Sequence, residues 1–139
     1  MKYLLDTCTL SEFLKKLPDE NVLEWFRGHD EESQYISVLT VGEIQKGISK
    51  LARSKRKSEL QAWFESVLSR YDGRILAVSL ETANLWGNLK ADLETQGAPT
   101  PVIDSLLAAT ALEHGLTIVT RNEDDFAATN AKVLNIWKR

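Results

Sequence analysis

Acidic and amide side chains occur in four separate segments of the sequence, each close to an apolar run. Asp6 ends the first run, Glu43 follows the second, Asp104 lies just after Pro101, and the segment 120–125, with the sequence TRNEDD, follows the run 117–119. Carboxylates that are brought together repel one another, and Mg²⁺ is a hard cation that prefers oxygen ligands. Such a site can activate a water and stabilise charge on a phosphoryl group, so these residues indicate metal-assisted phosphodiester chemistry.

Each acidic residue also has a purely structural explanation, which the sequence leaves open. Asp6 could cap the helix that follows it. Glu43 completes the pattern Thr40-x-x-Glu43 of a capping box. Asp104, close to a predicted helix N-terminus, is favoured there by the helix dipole.

Small residues beside two of the acids favour the functional explanation. Gly47 lies four residues after Glu43 in a predicted helix, where glycine costs about 1 kcal/mol relative to alanine. Ala108 and Ala111 share the helical face of Asp104. A carboxylate that serves only as a cap needs no such clearance, so we expect open space beside both acids.

No other catalytic set competes with these carboxylates. The two histidines, His29 and His114, are interpreted as structural or exposed. The single cysteine, Cys8, excludes a disulfide framework and a cysteine-based zinc site, and we interpret it as a small core residue. Gly42-x₄-Gly47 imitates a phosphate loop, but Ile48 stands where lysine is required.

Short β-rich runs alternate with longer segments in which apolar residues recur at helical spacing. The predicted strands are 3–5, 35–37, 75–78, 117–120 and 133–134. Thr100 is the predicted N-cap of a helix with Pro101 at its first position. Three apolar stripes predict further helices, namely Val41, Ile44, Ile48 and Leu51; Leu60, Phe64, Val67 and Leu68; and Ala83, Trp86, Leu89 and Leu93. Strands separated by helices predict an α/β fold with a mainly parallel sheet, which binds ligands beyond the carboxyl ends of its strands.

Length predicts a single domain, and the acidic net charge, taken alone, argues against a strongly electrostatic nucleic-acid binder. The 139 residues predict one domain spanning 1–139, with 43% hydrophobic and 27% charged residues. Net charge is −3, from 17 Lys and Arg against 20 Asp and Glu, whereas the segment 44–70 has seven basic and two acidic residues, net +5. No uncharged stretch approaches the ~20 residues that span a bilayer, so we expect a cytoplasmic protein without membrane contact.

Four motifs, in this order and spacing, resemble the PIN domain, and more narrowly the VapC-type toxins of bacterial toxin–antitoxin pairs, including the FitB branch. They are 4–7 (LLDT), 37–44 (SVLTVGEI), 104–111 (DSLLAATA) and 119–122 (VTRN), the last ahead of Phe126.

This resemblance implies a three-layer α/β/α sandwich and an Mg²⁺- or Mn²⁺-dependent ribonuclease, the toxin of a type II toxin–antitoxin system, acting as a homodimer or dimer of dimers. Asp6, Glu43 and Asp104 match the acidic metal ligands of the family, and Thr7 and Thr120 match supporting positions. The implied partner is a small VapB-like antitoxin that covers the active site and alone contacts operator DNA.

One position departs from the family pattern. Many relatives have a fourth acid where this chain has Asn122, which offers a carbonyl oxygen without charge; Asp124 or Asp125 could substitute if the loop turns inward.

The cations that follow Glu43 are expected to guide the RNA backbone, which gives affinity and not sequence choice. The candidates are Lys46, Lys50 and Arg53.

Two other functions remain possible on the sequence alone. The missing fourth acid is compatible with a regulatory subunit that stabilises a DNA-binding antitoxin and contributes little catalysis. A receiver-like phosphorylation module also gathers acids at strand ends, but it needs an acceptor Asp after the central strand, and the third predicted strand ends at Val78-Ser79.

Overall fold

Five short parallel strands form one sheet in the computed structural model, which describes residues 1–138. The sheet order is β3-β2-β1-β4-β5, and every neighbouring pair is parallel. Tyr3 of β1 lies opposite Gln34 on one side and Thr117 on the other. The strands are β1 (Tyr3–Leu5), β2 (Gln34–Ser37), β3 (Ile75–Leu76), β4 (Thr117–Val119) and β5 (Val133–Leu134). The predicted parallel sheet is therefore confirmed.

Helices cover both faces of this sheet. They are α1 (Thr7–Ser11), α2 (Glu20–Arg27), α3 (Val38–Ser49), α4 (Lys55–Arg70), α5 (Leu80–Thr95) and α6 (Val102–His114). Successive strand residues point to opposite faces. Accordingly, Leu5 packs in one core cluster with Phe64 of α4, whereas Leu4 packs in a second cluster with Leu107 of α6. These two cores make the predicted three-layer α/β/α sandwich. Within residues 1–138, no helix is long and apolar enough to cross a membrane.

The strand order places a crevice where the acidic residues were expected. The order reverses at β1, which lies between β2 and β4, and ligands of open α/β sheets bind at such a switch point. Asp6 directly follows β1, and its backbone N–H donates to the Val119 carbonyl of β4 at 3.0 Å. The carboxyl ends of β1 and β4 are thus held side by side.

Two predicted helix caps are wrong. Ser37, and not Thr40, caps α3, because it ends a buried strand in extended conformation and its hydroxyl accepts from the Leu39 N–H at 3.0 Å. Thr40 is therefore buried inside the helix. The Thr100 hydroxyl donates to the Ala98 carbonyl instead of capping α6. Pro101 is the extended residue before that helix, which begins at Val102.

Several predicted boundaries and faces also shift. β3 ends at Leu76, two residues before the predicted end. Leu51 lies beyond the end of α3 and is exposed, and Ala83 is exposed on α5 instead of facing the core. None of the three predicted apolar stripes falls in helix α2, although its Val22 is fully buried.

Glu12 is a buried acid that joins three parts of the chain away from the strand ends. Its carboxylate accepts from the Asp19 backbone N–H at 2.9 Å and the Trp137 indole N–H at 3.2 Å, and it forms a 2.9 Å ion pair with Lys15. Burial acts to raise the pKa of Glu12, but these donors together hold it below its usual value.

We expect Glu12→Ala to lower the free energy of unfolding by about 2–4 kcal/mol, because two donors lose a charged acceptor. Because the pKa of Glu12 is lowered in the folded state, the charged carboxylate stabilises the fold at pH values above the usual glutamate pKa. This stabilisation is lost as the pH falls through the lowered pKa. Urea unfolding of both proteins at pH 7 and pH 3 should therefore show a smaller difference at the lower pH. An equal difference at both would contradict this account of Glu12.

Candidate active site

Asp6 occupies the centre of the crevice and is only 9% exposed. One carboxylate oxygen, Oδ1, accepts from the Thr7 N–H at 2.7 Å and so caps α1. The other, Oδ2, accepts from the Thr120 hydroxyl at 2.7 Å. The structural explanation of Asp6 as a cap is thus correct, yet only one oxygen is used for it, and the second is fixed by a residue from a neighbouring strand.

Glu43 lies on the exposed face of α3 and is connected to Asp6 through Thr7. Its Oε1 accepts from the Thr7 hydroxyl at 2.9 Å, while the Thr7 backbone N–H donates to Asp6. The capping-box explanation for Glu43 is wrong, because its carboxylate turns away from the helix start. Thr7 therefore holds two of the predicted acids in one arrangement.

Asp104, in the first turn of α6, completes a local concentration of negative charge. Partial burial, followed by the charges of Asp125, Asp6 and Glu43, raises the pKa of Asp104 from 3.8 to about 6. Repulsion of this kind shows that the four carboxylates are electrostatic neighbours. Thr7 links Asp6 and Glu43 by hydrogen bonds, and Asp104 and Asp125 are connected to them through their charges alone.

No protein cation compensates this charge in the described part of the chain. None of its ion pairs within 4.0 Å involves Asp6, Glu43, Asp104 or Asp125. Among the same residues, no three His, Cys, Asp or Glu side chains converge closely enough to form a ready-made metal-binding group. An all-oxygen donor set without an internal counter-ion fits a hard divalent cation, which would draw the carboxylates together.

The loop after β4 supplies one support and one acid. The Thr120 hydroxyl is buried, donates to Asp6, and accepts from the Asn122 N–H at 3.1 Å. Asn122 itself is exposed at the start of a 3₁₀ turn, Glu123–Phe126. Asp125 acts on Asp104, whereas Asp124 is not among the charges that raise its pKa. Of the two substitutes considered for the missing acid, Asp125 is the one whose charge reaches the site.

Cys8 is the residue at this site that sequence reasoning missed. Its Sγ lies 3.6 Å from Asp6 Oδ2 and 3.6 Å from the Thr120 hydroxyl, and it accepts from the Arg121 N–H. Burial and the Asp6 charge raise the pKa of the Cys8 thiol, which keeps it neutral. Only its position two residues after Asp6, in the first turn of α1, could have signalled this contact.

The space predicted beside the acids is present at one of the two places. Ala108 and Ala111 are fully packed in the core with Phe126 and leave no opening beside Asp104, so that expectation is wrong. Gly47, in contrast, is exposed and lines a cavity of about 240 Å³ together with Glu43.

The cations proposed to contact RNA are free to do so. Lys46, Lys50 and Arg53 are exposed, and none of their side chains has a hydrogen bond or ion pair with another residue of the described chain. Lys57 differs, because its ammonium donates to the Ser49 and Leu51 carbonyls at 3.3 and 3.0 Å and thereby caps the end of α3.

We expect Thr120→Val to lower metal affinity and any metal-dependent activity by about 10–100-fold, as loss of a residue that orients a ligand does. Valine keeps the shape of threonine but cannot donate to Asp6. Thr120→Ser keeps the hydroxyl and should restore most of the affinity. Titration of Mn²⁺ into the three proteins measures this, and equal affinity in wild type and Thr120→Val would show that the hydroxyl does not position Asp6.

The fold and the site define a known class of protein. A family model of the PIN domain matches residues 3–132, so the chain belongs to the PIN-domain family. Within this family it groups with the FitB and VapC proteins. Toxin FitB of Neisseria gonorrhoeae is 35% identical over 135 residues, covering 96% of this chain and 97% of FitB. VapC ribonuclease Y4jK of Sinorhizobium fredii is 33% identical and covers 97% of both chains.

Solved structures agree with this grouping. The crystal structure of FitAcB from Neisseria gonorrhoeae matches with a TM-score of 0.93 and 34% identity over 99% of both chains. VapBC2 from Rickettsia felis, solved bound to a DNA fragment from their promoter, matches with a TM-score of 0.78 and 29% identity over 97% of this chain and 98% of that one. The family resemblance drawn from four short motifs is therefore confirmed.

Proposed function

We propose that the protein is the toxin of a type II toxin–antitoxin pair and hydrolyses RNA phosphodiester bonds with the help of Mg²⁺ or Mn²⁺. The observation that carries this is the arrangement of acids at the strand ends: Thr7 joins Asp6 to Glu43, Thr120 fixes the second oxygen of Asp6, and no ion pair of residues 1–138 reaches these carboxylates or that of Asp104. The names of the relatives, a toxin and a VapC ribonuclease, support the same function.

Asp6 and Asp104 are the residues that would hold the cation, directly or through waters, with Glu43 beside them and Asp125 as a fourth acid. When bound, the cation supplies stabilisation of negative charge on the phosphoryl oxygens and a more acidic water. Thr120 and the Thr7 N–H fix the two oxygens of Asp6, and the Thr7 hydroxyl fixes Glu43. The exposed Glu43 carboxylate can accept a hydrogen bond from the attacking water. Lys46, Lys50 and Arg53 bind the phosphates on either side.

The experiment that tests this function uses purified protein free of any antitoxin. With Mg²⁺ or Mn²⁺ it should cleave RNA, EDTA should stop the reaction, and excess Mg²⁺ should restore it. Activity that is unchanged in EDTA would contradict the role of the cation, and inertness on transfer, ribosomal and messenger RNA would contradict the activity itself.

The partner proposed for this chain is a small VapB-like antitoxin that covers the acidic site and contacts operator DNA for both proteins. Support comes from the relative solved as VapBC2 with promoter DNA. The protein is proposed to act as a homodimer or dimer of dimers. Co-expression with the reading frame directly upstream should yield a complex that does not cleave RNA.

A second function is favoured by one observation at the site. Asn122, which replaces an acid of many relatives, is exposed and brings no charge. A mainly regulatory subunit, similar to FitB in partnering a DNA-binding antitoxin, would then use this fold with little catalysis. Tight operator binding by the complex, together with an antitoxin-free protein inert on diverse RNAs, would favour it.

A further inference from the structure

An apolar cavity opens beside Glu43 between helices α1, α3 and α4. It measures about 240 Å³, which is below the ~300–1,000 Å³ of sites for drug-sized ligands and suits a single flat ring system. One side is formed by Thr7 and Glu43 of the acidic site, and the floor by buried Ile48. The remaining lining residues are Ser11, Leu14, Ile44, Gly47, Leu60 and Trp63.

Two polar groups in the wall of this cavity have no partner among residues 1–138. The Trp63 indole N–H and the Ser11 hydroxyl make no hydrogen bond with another described residue. In contrast, the indole N–H of Trp86 donates to the Ser105 hydroxyl and that of Trp137 donates to Glu12. Because Trp63 and Ser11 both line the cavity, a ligand there lies beside an indole ring and a hydroxyl that have no partner in the described chain.

The charge around the cavity selects the kind of ligand. Glu43, Lys46, Gly47 and Lys50 are spaced i, i+3, i+4 and i+7 and so lie along one face of α3. Both lysines are exposed and unpaired in the described chain. Cations beside an aromatic cavity are the combination by which proteins bind single-stranded nucleic acid, with phosphates on the cations and bases stacked on the ring.

We propose that this cavity is a nucleobase subsite: one unpaired base adjacent to the scissile phosphate leaves the strand, enters the cavity and contacts Trp63. This rests on the proposed ribonuclease function and deepens it, because it limits the substrate to RNA that is single-stranded or easily unstacked at that position. Gly47 is the lining residue at which a side chain can be added to narrow the cavity. A Cβ added at this position meets nothing within 4 Å in the folded chain, so packing does not require a glycine here.

The test is Gly47→Leu, with Gly87→Leu as the matched control. Gly87 is also an exposed helix glycine with nothing within 4 Å of an added Cβ, but it lies in α5 and does not line the cavity. Because leucine favours helix more than glycine does, both variants should melt at or above the temperature of the parent, which shows that they fold. Only Gly47→Leu adds a side chain at a residue that lines the cavity.

Binding is measured by fluorescence anisotropy of a labelled twelve-nucleotide single-stranded RNA of mixed sequence. All proteins also carry Asp104→Asn, which prevents cleavage. Gly47→Leu should weaken binding by about 10-fold, within the range found when one stacked base loses its aromatic partner, and Gly87→Leu should leave it unchanged. A set of RNAs that each lack one base should contain one RNA that the parent binds about 10-fold more weakly than the complete RNA. Removal of that same base should cause no further loss of affinity in Gly47→Leu.

Each other outcome overturns the subsite. RNA binding by Gly47→Leu that equals the parent would do so. The subsite would also be overturned if Gly47→Leu weakened the binding of every RNA in the scan by the same factor, whichever base had been removed. If Gly47→Leu bound RNA normally but escaped inhibition by the antitoxin, the cavity would be a protein contact. Failure of the proposed function is seen separately, as absence of cleavage by the wild-type protein.

Discussion

Asp6→Asn is expected to lower RNA cleavage by at least about 100-fold and to leave the fold intact. Asparagine keeps an oxygen that accepts from the Thr7 N–H or the Thr120 hydroxyl, so the start of α1 is preserved. It removes the charge that would hold the cation, whose stabilisation of the phosphoryl group is worth several kcal/mol. A 100-fold loss corresponds to about 2.7 kcal/mol in the barrier. The rate of cleavage of a labelled RNA at saturating Mn²⁺ measures the effect.

The matched control for this variant is Asp19→Asn. Asp19 caps α2 in the same way, with its carboxylate accepting from the Asn21 and Val22 N–H groups, but it lies away from the strand ends. Both variants should therefore show similar small changes in melting temperature, and only Asp6→Asn should lose activity. Full cleavage by Asp6→Asn would show that this carboxylate does not serve the reaction.

Asp104→Asn is expected to lose cleavage to a similar extent while stabilising the metal-free protein. The pKa of Asp104 is about 6 in the folded chain against 3.8 in the absence of its surroundings, so the charged carboxylate is tolerated poorly by the fold. Full conversion of this difference gives about 3 kcal/mol, and solvent screening of a partly exposed group reduces it to about 1–2 kcal/mol. Asparagine is never charged and avoids this cost.

The sign of the pH dependence follows from the raised pKa. A group with a raised pKa in the folded state favours folding when protonated, and this advantage is lost as pH rises through 3.8 to about 6 and beyond. In EDTA, the stability gained by Asp104→Asn should therefore be small at pH 4.5 and larger at pH 7.5. Urea unfolding of wild type and variant at both pH values measures it, with Asp92→Asn, an exposed acid of α5, as control.

Added Mn²⁺ should reverse the order at pH 7.5, because the cation binds the charged wild type and not the variant. A variant that is less stable than wild type in EDTA would contradict the raised pKa of Asp104. A variant stabilised by Mn²⁺ as much as wild type would contradict its role in holding the cation.

The fold was predictable because its signals are local. Apolar runs of β-branched and aliphatic residues gave all five strands, and their alternation with helical stripes gave the parallel sheet. The order of the strands was not accessible, because it depends on which helix packs on which face. The cap prediction was wrong for a related reason. Ser37 and Thr40 both carry a hydroxyl near the helix start, and the extended backbone of Ser37 at the end of β2 decides between them.

The candidate site was predictable in its acids and in its two supporting threonines, Thr7 and Thr120, but not in the space around the acids. Positions beyond the predicted strands identify Asp6, Glu43 and Asp104, and the family motifs contain the same three residues. Ala108 and Gly47 look alike in sequence as small residues beside an acid, yet one is packed under Phe126 and the other borders a cavity. Small size does not tell open space from close packing. The choice of Asp125 over Asp124 likewise depends on the geometry of a 3₁₀ turn, which adjacent acids do not reveal.

Asp6 and Asp104 are proposed to bind a divalent cation at the strand ends, and every other role proposed for the site depends on that binding. Isothermal titration of Mn²⁺ into the antitoxin-free protein at pH 7.5 tests it directly. We predict saturable binding by the wild type and by Asp19→Asn, and at least about 10-fold weaker binding by Asp6→Asn and by Asp104→Asn, each of which removes one charged ligand. Equal affinity in all four proteins, or no binding by the wild type, would contradict it.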